Sequence, residues 1–233
     1  MKIDILTSVP DYYSVLDLAL IGGARKNKLI DINIINLHDF GVGVHKSIDD
    51  CPNGGGSGMI MLPEVAKKAV DSILQDESVL VIPTARGYLY TQENARELKD
   101  EKHLIFLNSR FEGYDERIVS YYKKKGVKVL EFSIGNFVLF GSDIATLTIL
   151  ESTIRLLPGV LGNSESLETE SFGQNEGIHD NTTLLEYDSF TRPASWEGID
   201  VPEVLLNGNH KKIDEFRKAN ALQRTKKFRP DIL

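Results

Sequence analysis

The sequence predicts an α/β fold, in which helices cover a mostly parallel sheet, followed by a small helical domain. The first part of the chain alternates short β-rich runs with helical patterns, which is typical of such a sheet. The 233 residues can hold one large α/β domain, or a medium domain with a small appendage. A loss of periodicity favours the second arrangement, with a domain at 1–160, an acidic flexible linker at 161–182 and a helical domain at 183–233.

Hydrophobic periodicity predicts the elements of the first domain in chain order. Strand-like runs occur in KIDILTSV (2–9), LIDINIINL (29–37), SVLVIP (78–83), KHLIFLN (102–108) and VKVLEFSI (127–134). Helical spacing occurs in PEVAKKAVDSILQ (63–75), TQENARELKD (91–100) and DERIVSYYKKK (115–125). A long helix is predicted from about Ser142 to Leu157, with Ser142 or Asp143 available as its N-cap and Pro158 after its end.

The remainder of the chain changes in character twice. The stretch SESLETESFGQNEGIHDNTTL (164–184) is polar, acidic and without periodicity, as in a linker or a loop. In the last domain Asn209 can cap a helix whose apolar positions Ile213, Phe216 and Leu222 would form one face.

Charge is distributed unevenly along the chain. The formal net charge of -7 argues against a protein that simply coats nucleic acid. Acidic residues dominate from 163 to 200, whereas HKKIDEFRKANALQRTKKFRP (210–230) is basic. The basic segment suits contacts with RNA phosphates, and a solvated helix face would have the same composition.

Several classes of site are not predicted. Cys51 is the single cysteine, which excludes an intrachain disulfide and leaves one thiolate at most for zinc. The five histidines show no HExxH spacing, the pattern of a zinc site, and the chain has no GxSxG elbow to support a Ser/His/Asp hydrolase. His38 and His103 are therefore interpreted as structural. No apolar run approaches the length of a membrane span, and the start lacks the features of a secretion signal. We therefore expect a cytoplasmic protein with no metal site and no membrane contact.

Three glycine-bearing segments follow predicted strands: IPTARGY (82–88), LNSRFEGYDER (107–117) and FSIGNFVLFGSD (132–143). Ligands of open parallel sheets bind beyond the carboxyl ends of the strands, where glycine lets backbone approach a ligand closely. Any one of these segments is most simply a turn. Three such segments, each placed after a predicted strand, favour a cofactor pocket, although none of them is a GxGxxG or Walker motif.

A fourth glycine loop, CPNGGGSGM (51–59), is either a flexible linker or a backbone surface onto which a polynucleotide or another loop can dock. His45, Lys46 and Asp50 supply donors and acceptors just before it. Arg155 lies in an otherwise apolar stretch and must pair with a carboxylate or face a site. From the pattern alone, an ordinary helical ion pair with Glu151 is the simpler explanation.

An ordered set of motifs resembles the bacterial tRNA (guanine-N1)-methyltransferases over essentially the whole chain. The motifs are HKSIDDCPNGGGSGM (45–59), RFEGYDERI (110–118), SIGNFVLFG (133–141), RLLPGVLGN (155–163), YDSFTRPASWEGIDVPEVLLNGNH (187–210) and LQRTKKFRPDIL (222–233). The resemblance implies a homodimer with a SPOUT-type knotted α/β domain and a small helical carboxyl-terminal domain. It also implies methyl transfer from S-adenosylmethionine to N1 of the guanine immediately 3′ of the anticodon in tRNA. Mg²⁺ would at most support activity, without a fixed site.

The resemblance assigns roles to particular residues. Arg155 from RLLPG and Glu170, which stands in TESF where the family has an aspartate, would be catalytic. The cofactor would contact Thr84, Gly87, Ser109, Glu112, Ile134, Gly135, Asn136, Phe137, Val138, Leu139 and Gly141. The residues expected to contact the tRNA are His45, Lys46, Asp50, Gly55, Gly58, Met59 and Asn209.

Two alternatives differ from this hypothesis. A divergent paralogue would keep the fold and the basic tail, and would bind RNA without methylating it or would modify a different guanine. A metabolite-binding α/β protein unrelated to RNA would require the resemblance of the tail to be accidental. Binding of S-adenosylmethionine distinguishes the enzyme from a scaffold.

Overall fold

A computed structural model describes residues 1–162, 170–173 and 184–233. The chain divides into two compact units, Met1–Gly162 and Asn163–Leu233. Most of the segment predicted to be an acidic linker at 161–182 lies outside the described residues.

A five-stranded parallel sheet forms the centre of the first unit, in the order β2-β1-β6-β5-β7. The strands of this unit are β1 (Lys2–Thr7), β2 (Asp31–Asn36), β3 (Asp49–Asp50), β4 (Ile60–Met61), β5 (Ser78–Leu89), β6 (His103–Leu107) and β7 (Lys128–Ser133). Its helices are α1 (Ala19–Lys26), α2 (Pro63–Asp71), α3 (Gln92–Lys99), α4 (Arg117–Lys124) and α5 (Asp143–Ile154). The predicted α/β fold with a parallel sheet is confirmed, and the knot stays an implication of the resemblance.

Strand residues alternate between two hydrophobic layers, because successive side chains of a strand point to opposite faces. Val79 and Val81 pack in one layer with Ile149 and Ile154 of α5. Leu80, Ile82 and their neighbours pack in the other layer against α2 and α4. Helices therefore cover both faces, which explains why the strands read as nearly continuous apolar runs.

The structure corrects several predicted boundaries. β5 does not end at Pro83 but continues to Leu89, with an irregular register between Pro83 and Tyr88, so most of the predicted loop is a bulge within the strand. The predicted long helix is shorter and ends at Ile154.

The sequence pattern did not reveal α1, which contains two consecutive glycines. Gly22 is required there because a Cβ at this position would lie 2.1 Å from the carbonyl oxygen of Asp17. A close backbone contact of this kind depends on the three-dimensional fold, which local helix propensity does not report.

The second unit contains a short hairpin, β8 (Ser195–Trp196) and β9 (Ile199–Asp200), and a helix, α6 (His210–Phe228). The predicted cap is confirmed, since the Asn209 side chain accepts a hydrogen bond from the Lys212 N–H at 3.2 Å. The predicted apolar face is only half-buried, whereas Ala221 and Thr225 are buried. Among the described residues, no helix has the length and apolar character that a membrane span requires.

Candidate active site

The three glycine-bearing segments meet at the carboxyl ends of β5, β6 and β7, where they enclose a cleft of about 260 Å³. Eight of the residues expected to contact a cofactor line this cleft: Thr84, Ser109, Glu112, Ile134, Phe137, Val138, Leu139 and Gly141. Parallel sheets bind ligands at this edge. The prediction that these segments share one pocket is therefore confirmed, while their contact with a cofactor stays a prediction.

Gly87, Gly135 and Asn136 do not line the cleft. A Cβ at Gly87 would lie 2.5 Å from the backbone of Glu131, so this glycine lets the bulge of β5 return to β7. Gly135 has a φ of +153°, and a Cβ there would lie 2.4 Å from the ring of Phe137. These two glycines shape the loops on which the lining residues are carried.

Buried hydrogen bonds connect two of the cleft segments. The Ser142 hydroxyl accepts from the Ser109 N–H at 2.9 Å and contacts Asn108 Oδ1 at 3.1 Å. Thr146 Oγ1 also donates to Asn108 Oδ1, at 2.6 Å, and Asn108 Nδ2 donates to the carbonyl oxygen of Leu6 at 3.1 Å. Ser142 is the N-cap residue of α5, as predicted, but its side chain makes no capping hydrogen bond. It joins the loops instead.

A charged pair that the sequence did not predict lies at the same edge. Arg110 lines the cleft, and its Nη1 lies 3.3 Å from Asp143 Oδ2. Asp143 is buried and also accepts hydrogen bonds from Thr7 Oγ1 at 2.6 Å and from the Tyr13 hydroxyl at 3.1 Å. Burial, reinforced by the Asp143 carboxylate, raises the pKa of Tyr13 far above its usual range, so Tyr13 stays a donor.

The glycine loop at 51–59 joins β3 to β4 and lies against the cleft segment that carries Glu112. A Cβ at Gly58 would lie 2.4 Å from Glu112 Cγ, and the Glu112 N–H donates to the Met59 carbonyl oxygen at 3.1 Å. Gly58 has a φ of +84°, which L-residues rarely adopt. Of the two interpretations of this loop, the structure therefore supports close docking against another loop.

The residues expected to contact tRNA lie in both units. Asp50 ends β3, immediately before the glycine loop that carries Gly55, Gly58 and Met59. His45 and Lys46 are exposed in the turn between the bridged residues Val42 and Ser47. Asn209 belongs to the second unit, where its side chain caps α6.

Arg155 and the cleft lie at opposite ends of α5. The helix begins at Asp143, beside the cleft, and Arg155 is its half-buried C-cap residue. Its 12 residues correspond to a length of about 18 Å. Arg155 is therefore remote from the cleft of its own chain.

Glu170 begins a turn in the second unit that is tied to the segment before α6. The Gly173 N–H donates to the Glu170 carbonyl oxygen at 2.9 Å, and the Phe172 N–H donates to the Leu184 carbonyl oxygen at 3.1 Å. The Glu186 N–H donates to Ser171 Oγ at 3.0 Å. These bonds fix the backbone next to the Glu170 carboxylate, which the resemblance implies is catalytic.

The part of the chain that the structure describes holds no group of three or more His, Cys, Asp or Glu side chains that could bind a metal ion. The buried His103 has a structural environment at the other end of the sheet. Its ring nitrogens lie 2.7 Å from Ser78 Oγ and 2.7 Å from Asp4 Oδ2. The interpretation of His103 as structural is confirmed.

Comparison with known proteins matches the whole chain, residues 1–233, to the family described as tRNA (Guanine-1)-methyltransferase TrmD. A tRNA (guanine-N(1)-)-methyltransferase of Bifidobacterium longum subsp. infantis is 44% identical, with 100% of this chain and 88% of the relative covered. One from Nocardia farcinica is 42% identical over 100% of this chain and 97% of its own length. One from Bifidobacterium animalis subsp. lactis is 41% identical, with coverage of 100% and 88%.

Proposed function

The chain belongs to the tRNA (guanine-1)-methyltransferase family, and on that premise we propose that it methylates N1 of the guanine immediately 3′ of the anticodon in tRNA, with S-adenosylmethionine as the methyl donor. The observation that carries this proposal is the family match over all 233 residues. The cleft formed by the three strand-end segments is consistent with it.

The cleft fits a nucleoside-type cofactor in its composition. The side chains of Thr84 and Ser109 supply hydroxyl groups, and the apolar side chains of Ile134 and Val138 supply surface for a flat ring. Glu112 would face the amino-acid end of the cofactor, whose ammonium group needs an anionic partner. When bound, S-adenosylmethionine supplies an electrophilic methyl group.

Two side chains have the chemistry that the methyl acceptor requires. N1 of guanine carries a proton that must leave as the methyl group arrives, so a carboxylate general base is needed within hydrogen-bond reach. We propose Glu170 as this base. Arg155 would stabilise the negative charge that develops at O6 as the proton leaves.

We propose that the working enzyme is a homodimer in which each site combines the cleft of one copy with Arg155 of the other. The position of Arg155 at the far end of α5 supports this arrangement. Large apolar side chains are also exposed in the cleft segment 132–143, including Phe140 (94% exposed) and Val138 (86%). Exposed apolar clusters of this kind mark interaction surfaces.

The tRNA would contact two groups of residues. Basic residues on α6 and at its end would neutralise phosphates: Lys211, Lys212, Arg217, Lys218, Lys226, Lys227 and Arg229. The turn with His45 and Lys46 and the glycine loop with Gly55, Gly58 and Met59 would approach the anticodon loop, where glycine permits close backbone contact. With tRNA as its substrate, the protein acts in the cytoplasm.

Calorimetry with S-adenosylmethionine, followed by a methyl-transfer assay on a tRNA with guanine 3′ of the anticodon, tests the proposal. We expect cofactor binding and product methylated at N1. Glu170→Gln should lower the rate about 100- to 10,000-fold, the usual contribution of a general base. Glu186→Gln, an exposed carboxylate in the neighbouring segment, is the matched control and should retain activity.

Binding of tRNA without any methyl transfer would favour the divergent RNA-binding paralogue instead. Transfer to another guanine would show a change of target. Assays with and without Mg²⁺ determine whether the ion supports activity, since no fixed protein site is predicted for it.

A further inference from the structure

Arg110 is immobilised at the edge of the cleft by contacts on three sides. A Cβ at Gly141 would lie 3.1 Å from Arg110 Cγ and 3.3 Å from its Nη1, so the arginine lies directly over this glycine. Its guanidinium also stacks on Tyr12, 5.8 Å from the ring centroid. Nη1 lies 3.3 Å from Asp143 Oδ2. A long cationic side chain held in this way has lost the conformational freedom that a surface arginine keeps.

Asp143 is itself fixed from the opposite side. It is 1% exposed, and two hydroxyl groups, from Thr7 and Tyr13, donate to its Oδ1. A buried carboxylate requires both hydrogen bonds and a counter-charge, and Arg110 supplies the counter-charge. The two hydroxyl donors belong to the segments at and after the end of β1, so the orientation of the carboxylate is set by the core of the unit and not by the cleft loops.

The arginine retains donors for a ligand. A guanidinium carries five N–H groups, and within the described residues the hydrogen bond from Arg110 to a side chain is the one to Asp143. Its side chain is 27% exposed and lines the cleft. The remaining N–H groups can therefore hold an anionic oxygen, the ligand for which a fixed guanidinium is best suited.

From this geometry we propose that Arg110 is an anion-binding residue of the methyl-transfer site and that Asp143, held by Thr7 and Tyr13, is its positioning residue. The inference rests on the proposed function, which supplies two sources of the anion: the carboxylate of the cofactor's amino-acid end and a phosphate of the RNA strand. Both offer oxygen atoms with delocalised negative charge, and the same guanidinium recognises either.

Binding measurements on three variants test this assignment: Arg110→Gln removes the charge, Arg110→Lys keeps it, and Asp143→Asn removes the positioning carboxylate. The ligands are S-adenosylmethionine, 5′-methylthioadenosine, which lacks the amino-acid end, and substrate tRNA. If the anion is the cofactor carboxylate, Arg110→Gln should weaken the binding of S-adenosylmethionine about 10- to 100-fold, which is the effect of losing one charge-assisted hydrogen bond. Binding of 5′-methylthioadenosine should stay within about twofold, because no anion is involved.

If the anion is an RNA phosphate, Arg110→Gln should weaken the binding of tRNA and leave the binding of S-adenosylmethionine unchanged. In either case Arg110→Lys should recover part of the loss. Two results would overturn the anion site. In one, Arg110→Gln weakens the binding of S-adenosylmethionine and of 5′-methylthioadenosine equally. In the other, it changes the binding of neither the cofactor nor tRNA.

The role of Asp143 is tested by combining the substitutions. If Asp143 acts through Arg110, Asp143→Asn should weaken the binding of the same ligand. The double variant, with both Asp143→Asn and Arg110→Gln, should then bind that ligand no more weakly than Arg110→Gln alone. Additive losses would overturn the positioning role. Should Asp143→Asn fail to fold, Thr7→Val and Tyr13→Phe each remove one hydroxyl donor and carry the same comparison.

The wild-type chain separates this inference from the proposed function. Binding of both natural ligands by the wild type, together with unchanged binding by the Arg110 variants, would overturn the inference alone. A wild type that binds neither S-adenosylmethionine nor tRNA would overturn the proposed function and the inference together.

Discussion

A mixture of two inactive variants tests whether Arg155 serves the cleft of a second copy. Arg155→Ala removes the catalytic arginine and leaves the cleft intact. Gly141→Val blocks the cleft, because a branched side chain there would press against Arg110 and the Ser109 carbonyl oxygen, within 3.1 to 3.4 Å of a Cβ. We expect each homodimer to be inactive and the mixed dimer to be active.

The expected magnitude follows from the geometry of α5. The 12 residues of this helix separate Arg155 from the cleft of its own chain by about 18 Å. Each mixed dimer would therefore contain one intact site, formed by the cleft of the Arg155→Ala copy and the arginine of the Gly141→Val copy. Half of the dimers are mixed after random exchange, so the mixture should have about a quarter of the wild-type activity.

The assay is transfer of labelled methyl groups to tRNA after the variants are refolded together, with separately refolded variants as the control. Two affinity tags allow the mixed dimer to be isolated and assayed by itself. A mixed dimer no more active than the separate variants would refute action of Arg155 on the neighbouring cleft. Full activity of Arg155→Ala alone would refute its catalytic role.

Three further predictions concern other parts of the molecule. Replacing the buried His103 by Ala should lower the free energy of unfolding by about 3 kcal/mol, because it removes two buried hydrogen bonds, to Ser78 and Asp4, and leaves a cavity where the ring lay. Urea unfolding measures this, and the exposed His38→Ala is a control expected to stay within about 0.5 kcal/mol. Equal effects of the two substitutions would contradict the prediction. Gly58→Ala should raise the KM for tRNA or cofactor, since its methyl group displaces the Glu112 side chain packed on this glycine. It should also lower the free energy of unfolding by about 1 kcal/mol, because alanine rarely adopts the φ of +84° found here. Unchanged steady-state kinetics would count against the contact. Neutralising Lys226 and Lys227 should weaken tRNA binding and reduce the slope of log K against log salt by about 1 for each phosphate that is no longer neutralised; a slope identical to that of the wild type would remove these lysines from the RNA surface.

Local patterns were sufficient to predict most of the first unit. Its core strands are short apolar runs, and helices such as Pro63–Asp71 repeat apolar residues at helical spacing, so both appear in a sequence window. The common placement of three glycine-bearing segments after strands also predicted that they share one cleft. These features depend on residues that are close in the chain.

The features that the sequence did not predict depend on residues that are far apart in the chain. Asp143 accepts a hydrogen bond from Thr7, which is 136 positions away in the chain. From the local sequence, Asp143 could be interpreted only as a helix cap. The bulge in β5 is visible only from its pairing with Phe132 of the neighbouring strand. The remoteness of Arg155 from its own cleft likewise required the direction of α5 in the fold.

The hydrogen bonds around Asn108 also affect the thermodynamics of ligand entry. Its amide joins the end of β1 to the segments that precede and begin α5, through Leu6, Ser142 and Thr146. All of these bonds are made between groups of the protein itself, so the two cleft segments are preorganised and little backbone entropy is lost when a ligand binds. Calorimetry should accordingly show a smaller entropic penalty for the wild type than for Asn108→Ala, in which the segments must become ordered during binding.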